Sequence, residues 1–193
     1  MEREIKGNVC VFCASSANID ARYLVTAREL GDKLARQGWR CVNGGGAEGL
    51  MGAVTDGALD AGGHVTGVIP KFMVDNGWCY DRLKDVIITA DMHQRKQTMS
   101  EMADAVIALP GGVGTLEELL ETLTWRQLGL VQVPVIILNT MGYYDPLLKM
   151  LQHAIDEGFM KPSHRVLWQV AETPDQALAM LQDWQPVTIQ SKY

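Results

Sequence analysis

The sequence predicts an α/β fold, a doubly wound Rossmann-like parallel sheet with helices on both faces. Three observations carry that prediction. Short apolar runs alternate with longer helical patterns from end to end, without a linker, repeat or low-complexity stretch. The runs are continuously apolar, as strands buried on both faces require. Glycine-rich turns follow two of them and lead directly into helices.

In order, Val9 to Ala14 reads as the first buried strand, closed by Ser15 and Ser16. A helix near 20–37 follows, with Leu24, Ala27, Leu30 and Leu34 on one stripe. Trp39 to Val42 is a strand broken by Asn43-Gly44-Gly45-Gly46, and a helix near 48–61 leads to the strand Val65 to Ile69, stopped by Pro70. Residues 70–84 read as irregular. Val86 to Thr89 is strand-like, 91–103 helical, and Ala105 to Leu109 a buried strand ended by Pro110-Gly111-Gly112-Val113-Gly114. A helix from about 115 to 128, a strand Val135 to Leu138, a helix 145–157, a short strand 166–170 and a helix 174–183 complete the series, with Gln190 to Tyr193 as a loose end.

The length of 193 residues suits one domain of roughly 150–200 residues, so residues 1–193 are read as a single Rossmann-like domain. Seventeen Lys and Arg against 23 Asp and Glu leave a net charge of −6, which argues against a nucleic-acid polymer as partner or a polybasic membrane binder. No window approaches the ~20 uninterrupted apolar residues of a membrane span. The start, MEREIKGN, lacks the apolar stretch of a signal peptide. Four cysteines are too few for a disulfide scaffold. These features predict a cytoplasmic chain. Cys10 and Cys13, three apart on a strand, face opposite ways and cannot share a metal ion. The four histidines form no i, i+4 pair, so no metal site is expected.

In such sheets ligands bind beyond the carboxyl ends of the strands. Three loops lie there: Ser15-Ser16, Gly44-Gly45-Gly46, and Gly111 to Thr115. Glycines let amides approach an anion and a helix start adds partial positive charge, so the loops predict a pocket for a phosphorylated small molecule. They also fit plain tight turns. Gly44-x-Gly46-x-x-Gly49 matches the dinucleotide fingerprint in form, but the next strand ends Val68-Ile69-Pro70-Lys71 without the acidic residue that would hold the ribose. Gly114-Thr115 lacks the Gly-Lys-Ser/Thr of an ATP-hydrolysing loop. Met92-His93-Gln94-Arg95-Lys96 opens a helix at the same edge, where Arg95 can fork onto a phosphate or carboxylate and Lys96 adds a point charge. Thr115-Leu116-Glu117-Glu118 reads two ways: as a capping box that closes the helix start on itself, or as a carboxylate pair beside an anion site, of which one does chemistry.

Pro110-Gly-Gly-Val-Gly-Thr-Leu-Glu-Glu118 fits the pattern PGGxGTxxE, and Met92-His-Gln-Arg-Lys96 fits its companion basic motif. On these residues the chain resembles the LOG family, cytokinin riboside 5′-monophosphate phosphoribohydrolases, whose members have carried the label "lysine decarboxylase-like". Val11 to Ser16, Gly44 to Gly46 with Gly49 to Gly52, Gly67 to Pro70 and Thr124 to Gln127 agree, so the likeness spans about residues 8–140. It departs at Ala14, where glycine is frequent, and over Asp75 to Tyr80, where plant members carry a glutamate near Gly77.

The resemblance implies hydrolysis of the N-glycosidic bond of a nucleoside 5′-monophosphate to free base and ribose 5-phosphate, with no cofactor. By position it makes Arg95 and Glu118 the catalytic pair. It implies nucleotide binding by Lys96, Gly112, Val113, Gly114, Thr115, Glu117 and Thr124. Ser15, Gly45, Gly46, Met92 and Gly111 join that set as neighbours on the same loops. It also implies a homodimer built on the two motif-bearing helices, with Trp125 near the contact. A rival reading is a non-catalytic nucleotide-binding or sensing protein with the same loops. A decarboxylase would need a pyridoxal phosphate lysine with a pyridinium partner, and no such constellation is visible.

Overall fold

The structure, a computed structural model, describes residues 5–187; the expected loose end at Gln190 to Tyr193 lies outside them. One sheet of seven parallel strands runs in the order β4-β3-β2-β1-β5-β6-β7. The strands are β1 (Gly7–Phe12), β2 (Trp39–Asn43), β3 (Val65–Pro70), β4 (Asp85–Thr89), β5 (Ala105–Ala108), β6 (Val135–Leu138) and β7 (Gln169–Ala171). Between and after them lie α1 (Ala21–Arg36), α2 (Gly49–Asp60), α3 (Lys71–Asp75), α4 (Met92–Met102), α5 (Val113–Gln127), α6 (Asp145–Asp156) and α7 (Pro174–Asp183).

The alternation of side chains along each strand builds two cores. Val9, Val11 and Cys13 face one layer with Leu30 and Leu34 of α1, Leu50 and Val54 of α2, and Leu178 of α7. Cys10 and Phe12 face the other, with Met99 of α4, Leu119 and Leu123 of α5 and Leu151 of α6. Cys10 and Cys13 therefore stand on opposite faces as expected, and burial pushes both thiols well above their ordinary range. α1 and α2 pack so closely that a Cβ on Gly31 or Gly57 would strike the backbone of the other helix.

Beyond shifts of a single residue, the boundaries depart from the sequence reading in four places. The first strand runs Gly7–Phe12 because its register is set by pairing with β2 and β5 on both sides. The stretch 70–84 contains the short helix α3. Where a strand is expected at 166–170, residues 162–167 form a 3-10 turn and Gln169–Ala171 pair with β6. Finally, α5 starts at Val113, two residues before the expected position, with Gly112 as its N-cap. Among the described residues no helix is long and apolar enough to cross a membrane.

Winding reverses at β1: β2, β3 and β4 lie to one side of it and β5, β6 and β7 to the other. A crevice opens beyond the carboxyl ends of β1 and β5, the place where such sheets hold ligands. Its two loops are tied together by Ala14 N–H donating to Pro110 O at 3.1 Å.

Candidate active site

The start of α5 decides between the two readings of Thr115-x-x-Glu118. Thr115 lies inside the helix and is buried, and no side chain caps the N-terminus. The first helical N–H groups have no acceptor within their own helix, so those of Val113, Gly114 and Thr115 stand at the mouth of the crevice with the positive end of the helix. The glycines here differ in purpose. A Cβ on Gly111 would collide with Thr115, whereas Gly112 and Gly114 have nothing within 4 Å of that position. Neither has the left-handed backbone that demands glycine. What their missing side chains leave is open space in front of the amides, and Val113 is 84% exposed beside it.

The Gly44 to Gly46 loop is built differently. Gly45 N–H donates to Asn43 Oδ1 at 2.9 Å and Gly46 N–H to Met51 Sδ at 3.0 Å. At the start of α2, Leu50 and Met51 N–H both donate to Ala14 O, at 2.9 and 3.2 Å. These amides are engaged within the protein. The loop serves packing: a Cβ on Gly44 would collide with Arg95 Nη2. Its glycine is what lets that guanidinium lie under the loop.

Arg95 comes from the first turns of α4, whose N-cap Asp91 accepts from Gln94 N–H at 2.8 Å. Its Nε donates to Val68 O at 3.1 Å, and its Nη1 donates to Glu118 Oε1 at 2.8 Å. The two side chains are 8% and 10% exposed. This buried pair joins the basic motif to the carboxylate of PGGxGTxxE. Burial pushes the Glu118 carboxyl above its usual range while Arg95 opposes that shift. The result is a carboxylate of raised basicity held in one orientation. Beside it, Lys96 pairs with Glu117 and with Glu121 at 3.2 Å, and those partners raise its ammonium further into the charged form.

A cavity near one water in size, about 10 Å³, lies between α4 and α5. Glu118, Lys96, Glu121, Thr122 and Phe12 line it. Met92 is half-buried at the first position of α4 and Ser15 is exposed beside Gly49 at the rim. Thr124 stands six residues past Glu118, roughly 9 Å along the helix, and its hydroxyl donates to Leu120 O. The structure thus brings together Arg95, Glu118, Lys96, Glu117 and residues 111–115, with Thr124 farther along α5.

Sequence reasoning missed three contributors: Glu121 as a second partner of Lys96, Asn43 as the brace of the glycine loop, and Tyr143. Tyr143 reads from sequence as packing and cover, yet its hydroxyl donates to Gly111 O at 2.6 Å. The signal available was its place just beyond the carboxyl end of β6. Among the described residues no group of three His, Cys, Asp or Glu side chains converges as a metal-ligand set.

Comparisons with known proteins place the chain among relatives. The family model described as "Possible lysine decarboxylase" matches residues 51–181. A cytokinin riboside 5′-monophosphate phosphoribohydrolase of Arabidopsis thaliana is 44% identical over 187 residues, covering 96% of this chain and 88% of the relative. A second from the same plant is 44% identical over 179 residues, 93% of this chain and 78% of its own. Among solved structures, the molybdenum cofactor carrier protein of Chlamydomonas reinhardtii superposes with a TM-score of 0.70 at 26% identity, covering 92% of this chain and 96% of the carrier. With the motif pair folded into one site and relatives of this similarity along nearly the whole chain, the protein belongs to the LOG family, the group covered by the lysine-decarboxylase model.

Proposed function

We propose that this chain hydrolyses the N-glycosidic bond of a nucleoside 5′-monophosphate, AMP or an N6-modified AMP, to the free base and ribose 5-phosphate. The observation that carries the reading is the buried Arg95–Glu118 pair beside a helix start whose amides are open. The curated relatives bear this activity in their names, and a carboxylate of raised basicity next to an anion site suits it.

Leaving of the base builds positive charge on the ribose, as in glycoside hydrolysis. Glu118 faces that charge and stabilises it electrostatically, and it takes a proton from the attacking water. The water oxygen bonds to C1′, the C1′–N bond breaks with its electron pair passing to the base, and a proton ends on the departing nitrogen. Arg95 orients the carboxylate and keeps it ionised despite its burial. Gly112 to Thr115 hold the 5′-phosphate on the amides of α5, Lys96 and Glu117 contact the nucleotide near them, and Met92, Ser15 and Thr124 complete its surroundings. The single domain works in the cytoplasm as a homodimer meeting along α4 and α5, a reading supported by the exposed Leu120 and Leu128 of that face.

Incubation with AMP followed by chromatography tests the reading. Adenine and ribose 5-phosphate should appear in equal amounts. Glu118→Gln should slow their release by about 100-fold or more with AMP affinity retained, and retained turnover removes Glu118 from the mechanism. AMP that is bound but unchanged by the wild-type chain replaces the hydrolase with a nucleotide-binding protein.

A further inference from the structure

Two adjacent tyrosines hold the glycine turn from behind. Met141 (φ 58°) and Gly142 (φ 72°) are both left-handed, and this reversal after β6 carries the chain back toward the end of β5. There Tyr144 donates its hydroxyl to Leu109 O and Tyr143 donates to Gly111 O, each at 2.6 Å, so the pair brackets Pro110. The Tyr143 ring is gripped edge-on by Tyr23 of α1, at 6.1 Å between centroids, and by Tyr144, at 5.1 Å.

The two bonds differ in what demands them. Tyr144 is buried, and its hydroxyl needs a protein partner. Tyr143 is 40% exposed as a residue and its bond to Gly111 is only partly buried. Its bond to Gly111 is therefore not forced by burial. A trans peptide is planar, with its carbonyl and N–H pointing opposite ways. Fixing the Gly111 carbonyl toward Tyr143 fixes the Gly112 N–H toward the opposite side, and a Cβ on Gly112 would meet nothing within 4 Å.

We propose that Tyr143 is a positioning residue for the anion-binding turn: through the Gly111 carbonyl it aims the Gly112 amide at the 5′-phosphate. The proposal rests on the nucleotide reading only in taking a sugar phosphate as ligand. Tyr143 acts through the Gly111 carbonyl, so its effect should follow the phosphate-bearing fragment alone.

The test is equilibrium titration of the full chain, wild type and Tyr143→Phe, with AMP and with ribose 5-phosphate, beside the unfolding temperature of each unliganded protein. The variant should weaken both ligands by the same factor, about three- to tenfold for one lost hydrogen bond, with its unfolding temperature unchanged. In steady state KM for AMP should rise by that factor at constant kcat. Unchanged affinity for ribose 5-phosphate overturns the proposal, as does a loss confined to AMP or one accompanied by a drop in unfolding temperature. Because binding is read without turnover, a wild-type chain that binds both ligands but leaves AMP intact defeats the hydrolase reading and not this one. A chain that binds AMP but not ribose 5-phosphate defeats this one alone.

Discussion

Glu118 sits under two opposed influences, and its titration should report both. Burial raises its pKa and the Arg95 guanidinium lowers it, with burial the stronger. Since the ionised form accepts the proton, kcat/KM should fall on acidification with a midpoint above the ordinary glutamate range. Arg95→Ala removes the lowering influence, so the acid limb should move to still higher pH and activity fall by about 100-fold or more; a limb that moves down contradicts the pairing. Stability follows with a definite sign. The folded pKa is raised, so the folded state binds this proton more readily than the unfolded chain, and the benefit present at low pH is lost as pH rises through the folded pKa. Glu118→Gln cannot titrate. Its unfolding temperature relative to wild type should therefore climb as pH rises from the ordinary glutamate range through the raised folded pKa of Glu118, measured by calorimetry at matched ionic strength.

At the scale of elements, the same residue type does opposite work on the two glycine turns, and substitution separates them. Gly114 lies in the first turn of α5 with nothing near its absent Cβ. Gly114→Ala should stabilise the helix by about 0.5–1 kcal/mol and yet raise KM for AMP, because the methyl occupies the approach to the amides. Gly44→Ala drives a methyl into Arg95; it should destabilise by about 1–3 kcal/mol and cost turnover as Arg95 leaves Glu118. A Gly114 variant that loses stability, or a Gly44 variant with normal kcat, contradicts this division. Both loops were legible in the sequence as glycine runs between strand and helix, since backbone approach leaves that mark. Their different uses were not. Which amides are spent depends on Ala14 O, Asn43 Oδ1 and Met51 Sδ, partners that local pattern does not announce. The capping box failed for a similar reason: with the Glu118 side chain held by Arg95 of another helix, tertiary contact overrode a local propensity.

For the whole molecule, the layers were readable because strands buried on both faces stay apolar throughout, as Val9 to Phe12 and Val135 to Leu138 do. The bounds of the short β7, expected at 166–170 and found at Gln169–Ala171, were not, since three residues carry too little pattern and their pairing with β6 is long-range. The sheet sets the site at the β1–β5 seam and leaves α5 with its outer face uncovered. Leu120 and Leu128 on and just past that helix and Leu130 beyond it are 39%, 43% and 69% exposed, an apolar surface of the kind that marks contacts between chains. A second copy is the partner proposed for it. Two chains of charge −6 repel one another, so apolar burial must outweigh that repulsion, and added salt should screen it and tighten the pair. Sedimentation equilibrium at micromolar concentration should give the mass of two chains, more firmly associated at high salt than at low. Leu120→Glu with Leu130→Glu should give the mass of one chain, with an unfolding temperature that no longer depends on concentration. A wild-type protein that sediments as one chain under both conditions removes the dimer, while the Arg95–Glu118 geometry, which lies within one chain, stands as described.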